Sequence, residues 1–142
     1  MCVVFVEDII KILKKHNLKI TPQRLEILKF LDNNLSHPTA NEIYLALKKK
    51  NPSLSKTTVY NSLDILRKHN IIHELTITKS ESRYDFRNGM HHHFLCNNCG
   101  KIIDIEVECP YLDKILNGDH KIEEVHGYFK GICVDCLKKK VN

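Results

Sequence analysis

Two Cys-x-x-Cys pairs constrain this sequence of 142 residues more than any other feature. Cys96 and Cys99 form the first pair, and Cys133 and Cys136 form the second. The spacing lets both thiolates of a pair converge on one ion, and four thiolates in a tetrahedral array satisfy zinc without an open coordination position. The sequence therefore predicts a structural zinc site that joins two distant segments of the chain.

Paired cysteines have two other uses, and the sequence favours neither. The apolar run at residues 3–6 is too short for a signal-peptide core and has no basic flank, so we expect a cytoplasmic protein, in which disulfides are rare. No stretch approaches the length of a membrane span. A thioredoxin-like redox motif is not expected twice in one chain. Cys2 and Cys109 have no close cysteine partner and are interpreted as plain thiols.

A histidine run, His91-His92-His93, precedes the first cysteine pair. In a strand alternate residues share a face, so His91 and His93 point together and His92 points away. Asp104 lies on the next predicted strand, at 101–107, which we expect to pair antiparallel with the first through the cysteine turn. Two imidazoles and a carboxylate suit Fe(II), Mn(II) or Zn(II); the alternative is a chance run of surface histidines.

The rest of the C-terminal part carries weaker signals. The pattern predicts a short helix at 110–117, a strand or bent hairpin at 121–131 and a final helix at 137–140. Several further histidines and carboxylates would form another ion site with His92, but scattered exposed polar residues explain them more simply. They are His120, His126, Glu106, Glu108 and Glu123.

The net positive charge of the chain is confined to its N-terminal part. Residues 1–86 contain 14 Lys and Arg against 9 Asp and Glu, whereas residues 87–142 contain 8 of each, so the whole net charge of +5 lies in the first part. Hydrophobic residues make up 42% of the chain, enough to bury a core, and a polar stretch at 87–90 marks a boundary. A basic part suggests a polyanionic partner, although solvated lysines are the commoner explanation.

Four helices are predicted in the N-terminal part. The first spans 7–16, and the second begins at Thr21, an N-cap residue followed by proline. Thr39 begins the third helix with a capping box, and Ser55 caps the fourth. Alternation at 75–78 and 83–86, on either side of a turn, then predicts a two-stranded hairpin. This order is typical of a winged helix-turn-helix, so DNA binding is the favoured function.

The fourth helix is the predicted recognition helix. Its apolar side holds Val59, Leu63 and Leu66, and its other face offers small polar groups, an aromatic ring and cations. Hydroxyl and basic groups there suit phosphates, and an amide can reach a base edge. The alternative is an ordinary solvated face. The residues that we assign to DNA contact are Lys56, Thr57, Thr58, Tyr60 and Asn61, with Arg67 and Lys68 further along the same face.

Four motifs together carry a resemblance to a known family. The runs at 21–24 (TPQR), 37–40 (HPTA), 57–61 (TTVYN) and 96–101 (CNNCGK) resemble the ferric uptake regulator family in order and over nearly the whole chain. The resemblance implies an α+β protein with a winged helix-turn-helix domain at 1–86, a hinge at 87–91 and a small α/β dimerisation domain with structural zinc at 92–142. It also implies a homodimer that binds a palindromic operator in double-stranded DNA, with no membrane, no small-molecule substrate and no enzymatic activity.

The resemblance also implies a regulatory metal site. The matching ligand positions, which would hold Fe(II) or Mn(II), are His37, Asp85, His91, His93 and Asp104. The chain looks most like the peroxide-responsive branch, because iron-responsive members usually carry glutamate where Asp85 and Asp104 stand here. In that branch peroxide oxidises a ligand histidine, at positions matching His37 and His91, and the DNA is released.

Other functions remain alternatives. An iron- or zinc-responsive repressor of the same family is the nearest, and a thiolate ligand from Cys2 or Cys109 stays open. Met90 stands where many iron-responsive members have a histidine, so their third metal site is not expected, and the stretch between the cysteine pairs is a few residues short. A zinc hydrolase using the histidine run and an activated water is an alternative from another class. No nucleophile–base pair or glycine-rich phosphate loop in the sequence supports it.

Overall fold

The computed structural model describes residues 5–87, 91–106, 110–111, 114–115, 117–122 and 125–140. The chain divides into two compact units, an N-terminal unit of residues 1–87 and a C-terminal unit of residues 88–142. Helices followed by a two-stranded sheet make up the first, and a three-stranded sheet with a terminal helix makes up the second. The fold is the predicted α+β arrangement with a winged helix-turn-helix.

The helices of the N-terminal unit begin where their N-cap residues predict. Thr21 Oγ1 accepts a hydrogen bond from the Arg24 N–H at 3.3 Å, and Ser55 Oγ accepts one from the Thr58 N–H at 3.1 Å. Thr39 forms the full capping box. These side chains satisfy backbone donors that the first helical turn leaves open. The four helices are α1 (Val6–Lys15), α2 (Pro22–Asn33), α3 (Ala40–Lys50) and α4 (Lys56–Lys68).

Two of these helices end on an asparagine in the left-handed region. Asn17 follows the C-cap of α1 with φ 54°, and Asn70 follows that of α4 with φ 53°. The Leu18 N–H then bonds the Leu13 carbonyl at 2.9 Å, which closes the last turn. Helix α1 spans 6–15, so it begins and ends one residue earlier than the predicted helix at 7–16.

The apolar faces of the four helices form one core. Val59, Leu63 and Leu66 of α4 are buried as their spacing predicts. Ile9 and Leu13 of α1 are fully buried as well. The other fully buried aliphatic side chains of the helices are Ile27, Leu28 and Ile43.

The wing is shorter than predicted. Strand β1 (His73–Leu75) pairs antiparallel with β2 (Arg83–Asp85), so the predicted strand at 75–78 is wrong in its extent. Leu75 and Ile77 are both buried, which is the alternation that the sequence shows, but ladder pairing ends at Leu75. Burial of alternate side chains does not require a partner strand. The other side of β2 is joined to the segment before α3 by the Thr39–Arg83 bridge.

The C-terminal unit is built on a sheet with strand order β4-β3-β5. Its strands are β3 (His92–Cys96), β4 (Ile102–Ile105) and β5 (Tyr128–Gly131), followed by the helix α5 (Val134–Lys140). Strands β3 and β4 pair antiparallel through the cysteine turn, as predicted, and β5 lies parallel to β3. Gly100 has φ 74° in that turn and donates its N–H to the Cys96 carbonyl at 2.9 Å.

Several predicted elements of this unit differ from the structure or lie partly outside it. The strand predicted at 101–107 is paired only at 102–105, and the final helix begins at Val134, three residues before the predicted start. The predicted helix at 110–117 and the predicted strand at 121–131 include residues outside the described ranges. Cys2, Met90, Glu108, Cys109 and Glu123 also lie outside them. Among the described residues, no helix combines the length and the apolar character that crossing a membrane requires.

Candidate metal centres and nucleic-acid interface

The four cysteine sulfurs form a cluster at one end of the three-stranded sheet. Cys96 Sγ lies 3.9 Å from Cys136 Sγ, Cys99 Sγ lies 3.8 Å from Cys133 Sγ, and all four fall within 4.8 Å of one another. Sulfurs bound about 2.3 Å from one tetrahedral zinc ion lie about 3.8 Å apart. A disulfide would require about 2.05 Å. The cluster therefore fits a closed, structural zinc site.

Strand ends and turns position these thiols. Cys96 ends β3, and Cys99 lies in the turn that Gly100 makes possible. Cys133 lies just before α5, and its N–H donates to Cys96 Sγ at 3.3 Å. The Leu137 N–H bonds the Cys133 carbonyl at 3.0 Å, so the first turn of α5 presents the second pair. An ion held by the four thiolates would join the β3–β4 turn to the terminal helix.

The thiols differ in acidity. Backbone N–H groups of Cys133 and Cys99 donate to Cys96 Sγ and lower the pKa of that thiol to about 6. At Cys99 the Lys101 N–H lowers the pKa, but shared hydrogen bonds with the Cys96 thiol and burial outweigh it and raise the pKa to about 11. One thiolate forms readily near neutral pH. A bound dication is what allows all four to be deprotonated together.

A histidine and carboxylate cluster lies on β3 and β4. The antiparallel register places His93 directly opposite Asp104, with Nε2 and Oδ1 3.5 Å apart. His91 Nε2 lies 3.9 Å from the same oxygen, and the two imidazole centroids are 4.7 Å apart. Ligand atoms about 2.1 Å from one ion are separated by at most about 4.2 Å, so these distances fit a shared cation. The predicted convergence of His91, His93 and Asp104 is present in the structure.

A second imidazole–carboxylate pair lies within the N-terminal unit. His37 Nε2 is 3.9 Å from Asp85 Oδ2, and both side chains are almost completely buried, at 1% and 6% exposure. His37 has φ 54°, in the left-handed region that residues other than glycine uncommonly adopt. The Arg87 N–H donates to Asp85 Oδ1 at 3.0 Å, so the other carboxylate oxygen is the one nearer the imidazole. This pair joins two residues 48 positions apart, and periodicity in the sequence does not reveal it.

His92 is buried, whereas the alternative interpretation of the histidine run placed these residues on the surface. It is 7% exposed, its ring lies 6.1 Å from that of Phe129, and Gly127 runs against it. A Cβ at Gly127 would fall 2.2 Å from His92 Nδ1, so only glycine fits there. The sequence did not reveal the role of Gly127, because this role depends on the pairing of β5 with β3. The described residues of the weaker candidate set, Glu106, His120 and His126, stay without an assigned role.

The recognition helix presents most of its predicted polar face to solvent. Lys56, Thr57, Tyr60 and Asn61 are exposed, and Lys56 Nζ lies 5.6 Å from the Tyr60 ring centroid. Thr58 is half-buried, and its hydroxyl lies 2.7 Å from Ser55 Oγ within the helix cap.

The two cations further along α4 are held in ion pairs. Lys68 and Arg67 contact Asp64 at 2.6 and 2.9 Å, and Arg67 also reaches Glu74 of β1 at 3.2 Å. These contacts tie the end of the recognition helix to the wing.

A winged helix-turn-helix in one chain with a four-thiolate zinc site and histidine–carboxylate clusters defines a metal-responsive transcriptional regulator. The ferric uptake regulator family model matches residues 15–130. The peroxide operon regulator of Bacillus subtilis is 38% identical over 144 residues, which cover 94% of each chain.

Two solved structures extend the likeness to the fold. The Helicobacter pylori ferric uptake regulator, described as having three functional metal-binding sites, has a TM-score of 0.74 at 27% identity, over 96% of this chain and 97% of that one. The peroxide sensor PerR of Streptococcus pyogenes has a TM-score of 0.53 at 30% identity, over 92% of each chain. This protein therefore belongs to the ferric uptake regulator family. It is a regulator and not an enzyme, which removes the hydrolase alternative.

Proposed function

We propose that this protein is a peroxide-responsive transcriptional repressor that binds a palindromic operator as a homodimer in the cytoplasm. The observation that carries the proposal is the donor set. Each unit contributes imidazole nitrogens beside a carboxylate, and both carboxylates, Asp85 and Asp104, are aspartates. The similarity to the Bacillus subtilis peroxide operon regulator supports the same choice within the family.

We assign the regulatory ion to five ligands drawn from both units. His37 and Asp85 belong to the N-terminal unit, and His91, His93 and Asp104 belong to the C-terminal unit. Imidazole and carboxylate donors without a thiolate suit Fe(II) or Mn(II).

An ion held by both ligand sets provides the switch. Ligands on two units restrict the angle between them, and in a dimer this angle sets the separation of the two α4 helices. Half-sites on DNA recur about one helical turn, or about 34 Å, apart. One angle between the units therefore places the two α4 helices at the spacing of the operator half-sites. The metal stabilises the arrangement with this angle because it binds that arrangement more tightly than arrangements with other angles.

The ligand imidazoles are the proposed sensors. Bound Fe(II) supplies the reducing chemistry that activates peroxide, whereas Mn(II) on the same donors supports repression without it. One peroxide oxygen is added to a ring carbon of His37 or His91, and the other leaves as water. The oxidised ring is a poorer nitrogen donor, so the ligand set is weakened and the operator is released.

The thiolate cluster has a structural role in this proposal. Cys96 lies three residues after His93, and Asp104 lies five residues after Cys99. The zinc site therefore holds the β3–β4 turn whose register brings His93 opposite Asp104. Lys56, Thr57, Thr58, Tyr60 and Asn61 of α4 contact the DNA, the first four at phosphates and Asn61 at a base edge.

The test is a mass measurement on the oxidised protein. The protein is loaded with Fe(II) under anaerobic conditions and treated with one equivalent of peroxide. The tryptic peptides 30–48 and 88–101 then report His37 and His91. We expect one added oxygen on either imidazole, absent after loading with Mn(II). Fragment ions must exclude Met90, which shares the second peptide. An unmodified pair of imidazoles, with DNA binding governed by metal concentration alone, would establish the iron- or zinc-responsive alternative.

A further inference from the structure

Tyr128 shares a sheet face with the ligands of the C-terminal unit. The register places His93 opposite Asp104 on β4 and opposite Tyr128 on β5, so the three residues form one row across the sheet. Side chains at paired positions project from the same face. The phenol and imidazole centroids are 6.4 Å apart, with ring planes inclined by 53°. A phenol ring therefore lies beside an imidazole that we assign to the regulatory ion.

The phenol ring of Tyr128 is chemically susceptible to oxidation. The ring is electron-rich, and the carbon beside the hydroxyl accepts oxygen from strong oxidants. An oxidant generated at His91, His93 and Asp104 meets Tyr128 within the same row of side chains. Part of the oxidising equivalents then goes to the phenol and not to a ligand imidazole.

We propose that Tyr128 is a second oxidation site, which competes with the ligand histidines for peroxide. This inference rests on the proposed function. A ring C–H beside the hydroxyl becomes C–OH, giving a 3,4-dihydroxyphenyl side chain. The peroxide O–O bond breaks, one oxygen and the displaced hydrogen form the new hydroxyl, and the other oxygen leaves as water. The ring loses two electrons and peroxide gains two.

The competition sets the peroxide dose at which the switch operates. Each equivalent consumed at Tyr128 leaves the metal ligands intact, so the repressor stays on DNA. With the phenol present, more peroxide is needed to convert the same fraction of His91. Tyr128 is not a ligand in this account, and its oxidation alone does not remove a donor from the ion.

Other tyrosines distinguish a local reaction from a diffusing oxidant. Tyr111 is 64% exposed and Tyr60 is 42% exposed, whereas Tyr128 is half-buried. An oxidant free in solution modifies tyrosines in the order of their exposure, with Tyr111 and Tyr60 ahead of Tyr128. An oxidant formed at the ligand cluster reverses that order.

The experiment follows single peptides of the full-length protein. After anaerobic Fe(II) loading and one equivalent of peroxide, the tryptic peptides 122–130, 57–67 and 102–114 report Tyr128, Tyr60 and Tyr111. Fragment ions separate Tyr128 from His126 and Phe129, which share the first peptide. We expect one added oxygen on Tyr128 and less on the two exposed tyrosines, and none after Mn(II) loading.

The variant Tyr128→Phe tests the competition. The fraction of oxidised His91 is expected to rise at equal peroxide, and operator release is expected at a lower dose. Tyr111→Phe, at an exposed position away from β3 in sequence, is the matched control and should behave as the unaltered protein does. Zinc content measured on both variants verifies that the thiolate cluster is formed.

The outcomes separate the inference from the function on which it rests. Oxidation of His37 or His91 without oxidation of Tyr128 overturns the inference and leaves the peroxide function standing. Equal or greater oxidation of Tyr60 and Tyr111 overturns it too, because the oxidant is then diffusing. An absence of oxygen on every imidazole and tyrosine overturns both. If Tyr128 is oxidised in the unaltered protein but the yield of oxidised His91 is unchanged in Tyr128→Phe, the competition is rejected.

Discussion

Arg83 Nη1 donates a hydrogen bond to the backbone carbonyl of His37 at 3.3 Å, across 46 positions of the chain. The same guanidinium lies 3.7 Å from the carboxylate of Glu42, which closes the capping box of α3. His37 holds its left-handed backbone within this set of contacts. One side chain of the wing thus connects a proposed metal ligand to the start of the helix-turn-helix.

Replacing Arg83 by lysine should weaken metal binding. One guanidinium nitrogen, Nη1, reaches both the His37 carbonyl and Glu42, whereas lysine keeps the charge but carries it on a compact ammonium at the end of a flexible stem. Outer partners of metal ligands contribute about 10- to 100-fold in affinity, so we expect a loss of that order for Mn(II) by calorimetric titration. Lys79→Ala, in the exposed wing loop, is the control and should bind Mn(II) normally. Unchanged affinity in Arg83→Lys would show that the contact does not position His37.

Removing one thiolate should destroy the zinc site. Cys136→Ser leaves three sulfurs around an ion that requires four donors, and the buried cluster loses the cation that offsets its charge. We expect most of the zinc to be lost and the thermal unfolding temperature to fall. Zinc analysis and circular dichroism measure the two effects. Cys2→Ser removes a thiol that belongs to neither Cys-x-x-Cys pair and should keep a full equivalent of zinc. A Cys136→Ser protein that does the same would contradict the assignment.

Gly127→Ala should destabilise the C-terminal unit. The new Cβ would lie 2.2 Å from His92 Nδ1, and Gly127 cannot easily retreat because its carbonyl accepts the His93 N–H at 2.9 Å. Overpacking of this kind costs about 1–3 kcal/mol, measurable by urea unfolding. Gly118→Ala, whose Cβ would meet its nearest atom at 3.4 Å, is the matched control. Adding His92→Ala should restore most of the loss, and a purely additive double variant would exclude this clash as the cause.

Two substitutions on α4 should separate base contacts from phosphate contacts. Asn61→Ala should cost about 1–3 kcal/mol on the operator and relax its sequence preference. Lys56→Ala should weaken binding to all sequences and reduce the slope of log affinity against log salt by about 1. Fluorescence anisotropy on operator and scrambled duplexes at several salt concentrations measures both. A uniform loss from Asn61→Ala would argue against a base contact.

The ion pairs at the end of α4 should make the free energy of unfolding depend on pH in the acidic range. Hydrogen bonds from Lys68 and Arg67 hold the pKa of Asp64 below its usual value of 3.8. A lowered folded-state pKa contributes stability above the unfolded pKa, and this contribution is lost as pH falls through the folded value. Asp64→Asn should therefore unfold at lower urea than the unaltered protein at pH 7. The gap should narrow as pH falls below 3.8, and a gap independent of pH would reject the ionic origin.

Local chemistry in the sequence predicted much of the architecture. The caps at Thr21, Thr39 and Ser55 are found where the residue types require them, because an N-cap depends on groups three residues apart. The cysteine spacing likewise predicted a thiolate cluster that the structure contains. The division of the chain into two compact units falls after residue 87. The assignment of these units as a DNA-binding domain and a dimerisation domain, with a hinge at 87–91, stays a prediction.

Features that depend on distant partners were not predictable in this way. The wing strand ends at Leu75 although alternation continues to Ile77. Arg67 lies on the polar face of α4, yet Glu74 of β1 engages it. Periodicity shows which face of an element is buried, but the contacts of an exposed group depend on what the fold brings beside it.

The sequence by itself determined the local features: four thiols in two Cys-x-x-Cys pairs, histidines at alternate positions of a predicted strand, and helices that begin at their N-cap residues. Only the tertiary structure decided that Asp85 meets His37, that Tyr128 lies beside His93 in the row that also holds Asp104, and that Gly127 must lack a side chain. The physical reason is range. Capping and periodicity act over three or four residues, whereas a metal ligand set or a strand register joins residues tens of positions apart, and only a folded backbone sets those distances.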